Sequence, residues 1–155
     1  MYSVSNYEHT MSKVYREVIL NFSAKQMFEL VNDVDEYPKF LPYCSEAGLA
    51  KDLGQCVGEY YLKFSYAGFE YMVETRNAFE PNKFIDINLI KGPFSSLEGR
   101  WVFDQINDHQ SKVSFEVDYQ LSFGLEYVLG SVVRMAMSEA VNVYCRRAIE
   151  VYGHD

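Results

Sequence analysis

Two hydrophobic periods alternate along the chain, and they predict its elements before any composition is counted. From Val14 to Asn21 the run VYREVILN is β-branched and aromatic, which predicts a strand. Ser23 then stands as an N-cap ahead of AKQMFELVNDV, where Met27, Phe28, Val31 and Val34 recur at helical spacing and give a short helix one buried face. Beyond a proline-containing loop the period falls to two. One face carries Tyr60, Leu62, Phe64 and Tyr66 in GEYYLKFSY and Phe69, Tyr71, Val73 and Thr75 in FEYMVET. In VSFEVDYQLSF, Val113, Phe115, Val117, Tyr119, Leu121 and Phe123 oppose Ser114, Glu116, Asp118, Gln120 and Ser122, so one sheet face is dry and the other wet. In KFIDINLIK the dry face is Ile85, Ile87 and Leu89, with Asp86 and Asn88 toward water; a one-residue slip in register would turn those two inward. Gly54, Gly68, Pro81–Asn82 and Gly92–Pro93 punctuate these segments as the turns of a meander.

The closing segment, Leu125 to Val151, lacks proline and repeats Leu129, Val132, Val133, Ala136, Ala140, Val143, Tyr144, Ala148 and Val151 at steps of three and four. It predicts one helix of roughly 27 residues and about 40 Å. A strand, a short helix, about six more antiparallel strands and a long amphipathic helix make an α+β fold in which a curved sheet of about six to seven strands grips the C-terminal helix. Residues 1–12 are polar and without period and read as an N-terminal tail, with either Met1 or Met11 as the natural start; residues 13–153 form one ligand-binding domain.

Composition sharpens this picture in one respect. The chain has 13 Tyr and 11 Phe against one Trp, and that much ring surface must pack or bind something. The net charge of −8 repels nucleic acid on average, so direct DNA binding is not expected. Three dispersed cysteines, an odd count, suit a reduced, cytoplasmic protein, and no apolar run is long enough to span a membrane.

Reactive chemistry is sparse. His9, His109 and His154 fall in the tail, in a turn and at the C-terminus, so no metal site is expected. There is no nucleophile elbow, P-loop or dinucleotide fingerprint, and no core histidine to act as base for Cys44, Cys56 or Cys145. Glu70, Glu74 and Glu98 lie on wet faces, where Arg76 and Arg100 share their strands and suit an exterior ion-pair ladder. The pair Arg146–Arg147 is accounted for by the helix dipole. Chemistry by residue type runs out here, no required cofactor is expected, and shape carries the functional reading. A curved sheet and one long helix can leave an apolar cavity between them, with Met135 and Met137 as adaptable wall; a plain core accounts for the same residues.

Four motifs, VNDVDEYPKFLPYC from Val31, TRN at Thr75–Asn77, KGPFSSLEGRWVF at Lys91–Phe103 and RRAIEVY at Arg146–Tyr152, resemble the coenzyme Q-binding START-domain proteins and their bacterial relatives, the RatA-type ribosome association toxins. The likeness covers nearly all of the chain beyond the tail. It implies a helix-grip fold of the START/Bet v 1-like and polyketide cyclase-like kind. It also implies a non-catalytic carrier or chaperone that holds a polyprenyl quinone such as ubiquinone, supports respiratory electron transport and touches the inner-membrane surface transiently. The alternative implied by the bacterial branch is a toxin that binds the large ribosomal subunit and blocks subunit joining. A polyketide cyclase-type enzyme is a third reading and would need an acid and a base inside the cavity.

The ligand-binding residues follow from these faces. Pro38 and Pro42 fix a short second helical turn, so that Tyr37, Phe40 and Leu41 close the cavity mouth as a lid, or as a plug that only seals it. Phe94 and Trp101 reach the entrance or interior, and Gly99 suits a crowded or bulged strand. Phe64, Tyr71, Val73 and Phe115 form the sheet floor, and Val132, Met135, Ala136 and Tyr144 the helical roof.

Overall fold

A computed structural model describes residues 11–153. The tail assignment for 1–12 falls almost wholly outside these residues, as do His9 and His154. Seven strands follow the predicted order: β1 (Ser12–Leu20), β2 (Cys44–Gly54), β3 (Val57–Tyr66), β4 (Phe69–Glu80), β5 (Phe84–Lys91), β6 (Phe94–Asn107) and β7 (Gln110–Leu121). Helix α1 (Ala24–Asn32) and a 3₁₀ turn (Val34–Lys39) lie between β1 and β2, and α2 (Glu126–Tyr152) closes the chain. No helix among the described residues is long and apolar enough to cross a membrane.

All strands join one antiparallel sheet in the order β1-β7-β6-β5-β4-β3-β2, a meander whose first strand returns to pair with the last. Gly68, Pro81–Asn82 and Gly92–Pro93 sit between strands and Gly54 ends β2, and Asn82, at φ 65°, takes the left-handed conformation that asparagine tolerates. At Gly92 a Cβ would stand 3.3 Å from the Met72 carbonyl oxygen, so the β5–β6 turn presses on β4 in a way that a side chain would obstruct. Register shifts near Leu49, Glu74, Ser96 and Gln105 interrupt the ladders; such bulges add local twist and bend, which helps a seven-stranded sheet to curl.

Helix α1 begins in a complete capping box: the Ser23 hydroxyl accepts from the Gln26 amide at 3.1 Å, and the Ser23 amide donates to Gln26 Oε1 at 2.9 Å. The Ala24 amide donates to Gln105 Oε1 at 2.7 Å, pinning this helix start to β6. At the other end of the molecule's long helix, the Tyr152 hydroxyl donates to the Gln26 carbonyl at 2.9 Å. Thus α2 is tied to α1, and α1 to the sheet.

The core is concentrated under the C-terminal half of α2, where Val141, Tyr144 and Ala148 are buried with Met27, Phe28, Phe103 and Val113. Between 131 and 140, by contrast, no residue of α2 is buried. The helix stands off the concave face there, and this gap is the structural basis of the site.

Several expectations are corrected at the ends of elements. Phe69 is exposed at the start of β4, and Phe123 is fully exposed because β7 stops at Leu121 and the chain turns at Gly124 (φ 87°) into α2. Val151 is exposed; the neighbouring Tyr152 makes the contact instead, its ring 5.8 Å from that of Phe22. Ser114, placed on the wet face by alternation, is buried on the flank covered by β1.

Candidate functional site

The concave face and the raised part of α2 enclose two adjoining apolar chambers. The inner one, about 200 Å³, is floored by Phe115, Val117, Trp101 and Leu97 and roofed by Ala140 and Tyr144 of α2. The outer one, about 110 Å³, is bounded by Tyr43, Tyr66, Tyr71, Pro93 and, on α2, Val132 and Val133. Phe64, Val73, Phe94, Ala136 and Met137 belong to both walls, so the two chambers lie against each other. An apolar cavity on the order of 150 Å³ already accepts benzene, so the inner chamber takes a ring-sized group.

The sheet supplies its wall through simple alternation. Val73, Thr75 and Asn77 of β4 point into the inner chamber, and so do Leu97, Gly99 and Trp101 of β6. Gly99 is neither bulged nor crowded, which corrects that expectation. Its pairing with Val117 and Ile87 is regular, and a Cβ would meet Phe115 at 3.6 Å and Val117 at 3.7 Å, ordinary contact. The missing side chain there contributes open volume. Trp101 is held from three sides: by Phe115 (ring centroids 4.5 Å), by Tyr144 edge-on (5.0 Å) and by the stacked Phe103 (6.4 Å).

The proline loop closes the inner chamber. Tyr37 is buried, and its hydroxyl donates to the Val31 carbonyl at 2.5 Å, locking the 3₁₀ turn onto the end of α1. Its ring packs edge-on against Tyr144 at 5.5 Å. Burial pushes both phenols well above the usual tyrosine range, so both are neutral hydroxyls. Tyr43, at φ 66°, turns the chain into β2 and brings its ring 5.4 Å from Tyr66 at the outer rim.

Of the predicted ligand contacts, Tyr37, Leu41, Phe64, Val73, Phe94, Trp101, Phe115, Ala136 and Tyr144 line the inner chamber, and Tyr71 and Val132 the outer one. Two are corrected. Met135 is 67 % exposed, because about 100° per helical residue carries it off the stripe formed by Val132, Val133, Ala136, Met137 and Ala140. Phe40 is displaced from the lining: it sits behind Tyr37 and Tyr144, at 5.8 and 5.4 Å, as their backing. Asn77 was missed, although continuing the β4 alternation one step past Thr75 reaches it.

The charged residues lie elsewhere. Arg100 donates to both Asp86 carboxylate oxygens, through Nε at 2.5 Å and Nη2 at 2.7 Å, and lies 4.6 Å over the Phe84 ring, and Arg76 pairs with Glu59 at 2.9 Å. The exterior ladder exists, but its partners are cross-strand neighbours and not Glu74 or Glu98, since facing pairs on adjacent strands approach more closely than residues two apart on one strand. Arg147 is likewise corrected. It lies more than a turn from the helix end and reaches Glu36 of the 3₁₀ turn at 3.6 Å and Glu150 at 3.2 Å. Burial raises the thiols of Cys44 and Cys145, which keeps them protonated and unreactive.

The profile of the family described as "Polyketide cyclase / dehydrase and lipid transport" matches residues 20–142. Ribosome association toxin RatA of Vibrio cholerae serotype O1 is 36% identical over 151 residues, covering 92% of this chain and 99% of that protein. The Zhui aromatase/cyclase from Streptomyces sp. R1128 superposes with a TM-score of 0.75 at 17% identity, covering 89% of this chain and 93% of that one. A START superfamily protein from Mycobacterium smegmatis gives a TM-score of 0.69 at 19% identity, with 90% and 95% covered. The fold is therefore the helix-grip fold of START and polyketide cyclase-like proteins.

Proposed function

We infer, because the chain belongs to the polyketide cyclase/dehydrase and lipid transport family and has RatA proteins among its relatives, that it acts by association with the ribosome. The observation that carries this reading is the 36% identity to a protein named for that property, extending over 92% of the chain. The large subunit is the proposed target and a block to subunit joining the proposed consequence. With a net charge of −8, the contact is made by local patches or through basic ribosomal proteins. Cosedimentation of the purified protein with 50S subunits through sucrose, and loss of 70S particles when it is added in excess, are the expected results. Free migration at the top of the gradient overturns the reading.

The cavity favours a second activity that can coexist with the first: non-catalytic binding of a hydrophobic small molecule. Its lining residues include no Asp, Glu, His, Lys or Arg, which supports binding over the acid–base chemistry of a cyclase. Apolar burial at about 25 cal/mol per Å² supplies affinity for a ring bearing a long tail, and a polyprenyl quinone of the ubiquinone type is the proposed ligand, with a carrier role in respiration. The test is solvent extraction and mass spectrometry of protein purified without detergent. Near-stoichiometric quinone supports the carrier role, and no lipid enriched over an unrelated protein overturns it.

A further inference from the structure

Within the cavity, one pair of residues is out of keeping with an apolar core. Thr75 and Asn77 follow Val73 on the concave face of β4 and are 5 % and 7 % exposed. The Thr75 hydroxyl donates to Asn77 Oδ1 at 2.9 Å. That bond engages the carbonyl end of the amide, while Asn77 Nδ2, with two hydrogens to donate, has no hydrogen-bond partner among the described residues. It is also not among the sealed polar atoms, where Arg147 Nε alone stands among the described residues, so it opens on the chamber that Asn77 lines. A buried polar group left without a partner is costly, and a core position on a strand would ordinarily hold a valine or isoleucine.

We propose that Asn77 is the head-group residue of this cavity: its amide donates a hydrogen bond to a carbonyl oxygen of a neutral, ring-bearing apolar ligand, and Thr75 is the positioning residue that aims it. This inference rests on the hydrophobic-ligand reading above and specifies the chemistry of that ligand.

Three observations narrow the class. The unmatched group is a donor, so the ligand brings an acceptor. No cationic side chain lines the chamber, so a carboxylate or phosphate would be buried without a counter-charge; the acceptor is neutral, as in a quinone or ketone and unlike a fatty acid or phospholipid. The Tyr37 hydroxyl does not compete, because its proton is spent on the Val31 carbonyl. The space for a ring lies along the same sheet rung, where Asn77 pairs with Ile87 and Ile87 with the side-chain-free Gly99.

The test compares two ligands that differ in the acceptor: decylubiquinone, with ring carbonyls, and decylbenzene, without them. Both are titrated as displacers of the neutral dye N-phenyl-1-naphthylamine from wild type and Asn77→Leu. The expected result is that Asn77→Leu weakens decylubiquinone about five- to tenfold, the loss of one buried hydrogen bond, and leaves decylbenzene unchanged or tighter. The infrared carbonyl stretch of bound decylubiquinone should also lie lower in wild type than in the variant. Equal weakening of both ligands, or none of either, overturns the proposal while leaving the cavity reading intact. Should Asn77→Leu fail to fold, Thr75→Val provides the same comparison, with about a threefold loss for decylubiquinone alone; no ligand-selective loss overturns the proposal. If wild type binds neither ligand nor the dye, the cavity reading itself fails and this assignment with it.

Discussion

The Arg147 guanidinium lies 5.1 Å over the ring of Phe40, and this stacking fastens the long helix to the loop that closes the cavity. The same group reaches Glu36, so the charge acts within the 3₁₀ turn and the ring face just past its end. Arg147→Ala is expected to lower the unfolding free energy by about 1–2 kcal/mol and to raise amide exchange selectively over residues 34–41. Arg147→Lys should recover part of the charge effect and little of the stacking. Uniform exchange across the domain would show that the contact does not hold the loop in particular.

Position along α2 decides the effect of an introduced charge. Val132→Lys places an ammonium in the wall of the outer chamber and should abolish displacement of a neutral dye, whereas Met135→Lys, three residues on but exposed, should bind like wild type. Thermal melts of both variants separate lost binding from lost folding.

Gly99 leaves room that a side chain can take. Gly99→Val should stabilise the unliganded fold by about 0.5–1 kcal/mol, since glycine is unfavourable within a strand, and weaken ligand binding by filling the inner chamber. Denaturant titration and dye affinity are expected to move in opposite senses; a destabilised variant would mean that the floor has no space to spare.

Alkali should open the loop. The folded-state pKa values of Tyr37 and Tyr144 are raised by burial above the unfolded value of about 10. The folded state therefore holds those protons more tightly, so the stability linked to them is fully present below about pH 10 and is lost as pH rises further. Melting temperatures from pH 8 to 11 should fall steeply at the alkaline end. Tyr37→Phe should flatten that fall while costing about 1 kcal/mol at pH 8 through the lost bond to Val31. An unchanged slope would remove Tyr37 from the cause.

Local chemistry made much of this protein readable from its residues. Period two on β3, β4 and β7 named the dry face, and Gly54, Gly68, Pro81–Asn82 and Gly92–Pro93 placed the turns. The 3.6-residue stripe set the length of α2, because each of these signals depends on neighbours a few positions apart. What the order of residues could not contain was distance across the fold. That Arg147 serves the proline loop and not the helix dipole depends on two segments more than a hundred residues apart. That Met135 faces water while Met137 faces the cavity depends on the rotation at which α2 settles on the sheet. That Asn77 has a free donor, and Gly99 a volume to share with it, depends on β4, β5 and β6 meeting in one register, since a cavity is fixed only when separate walls close around it.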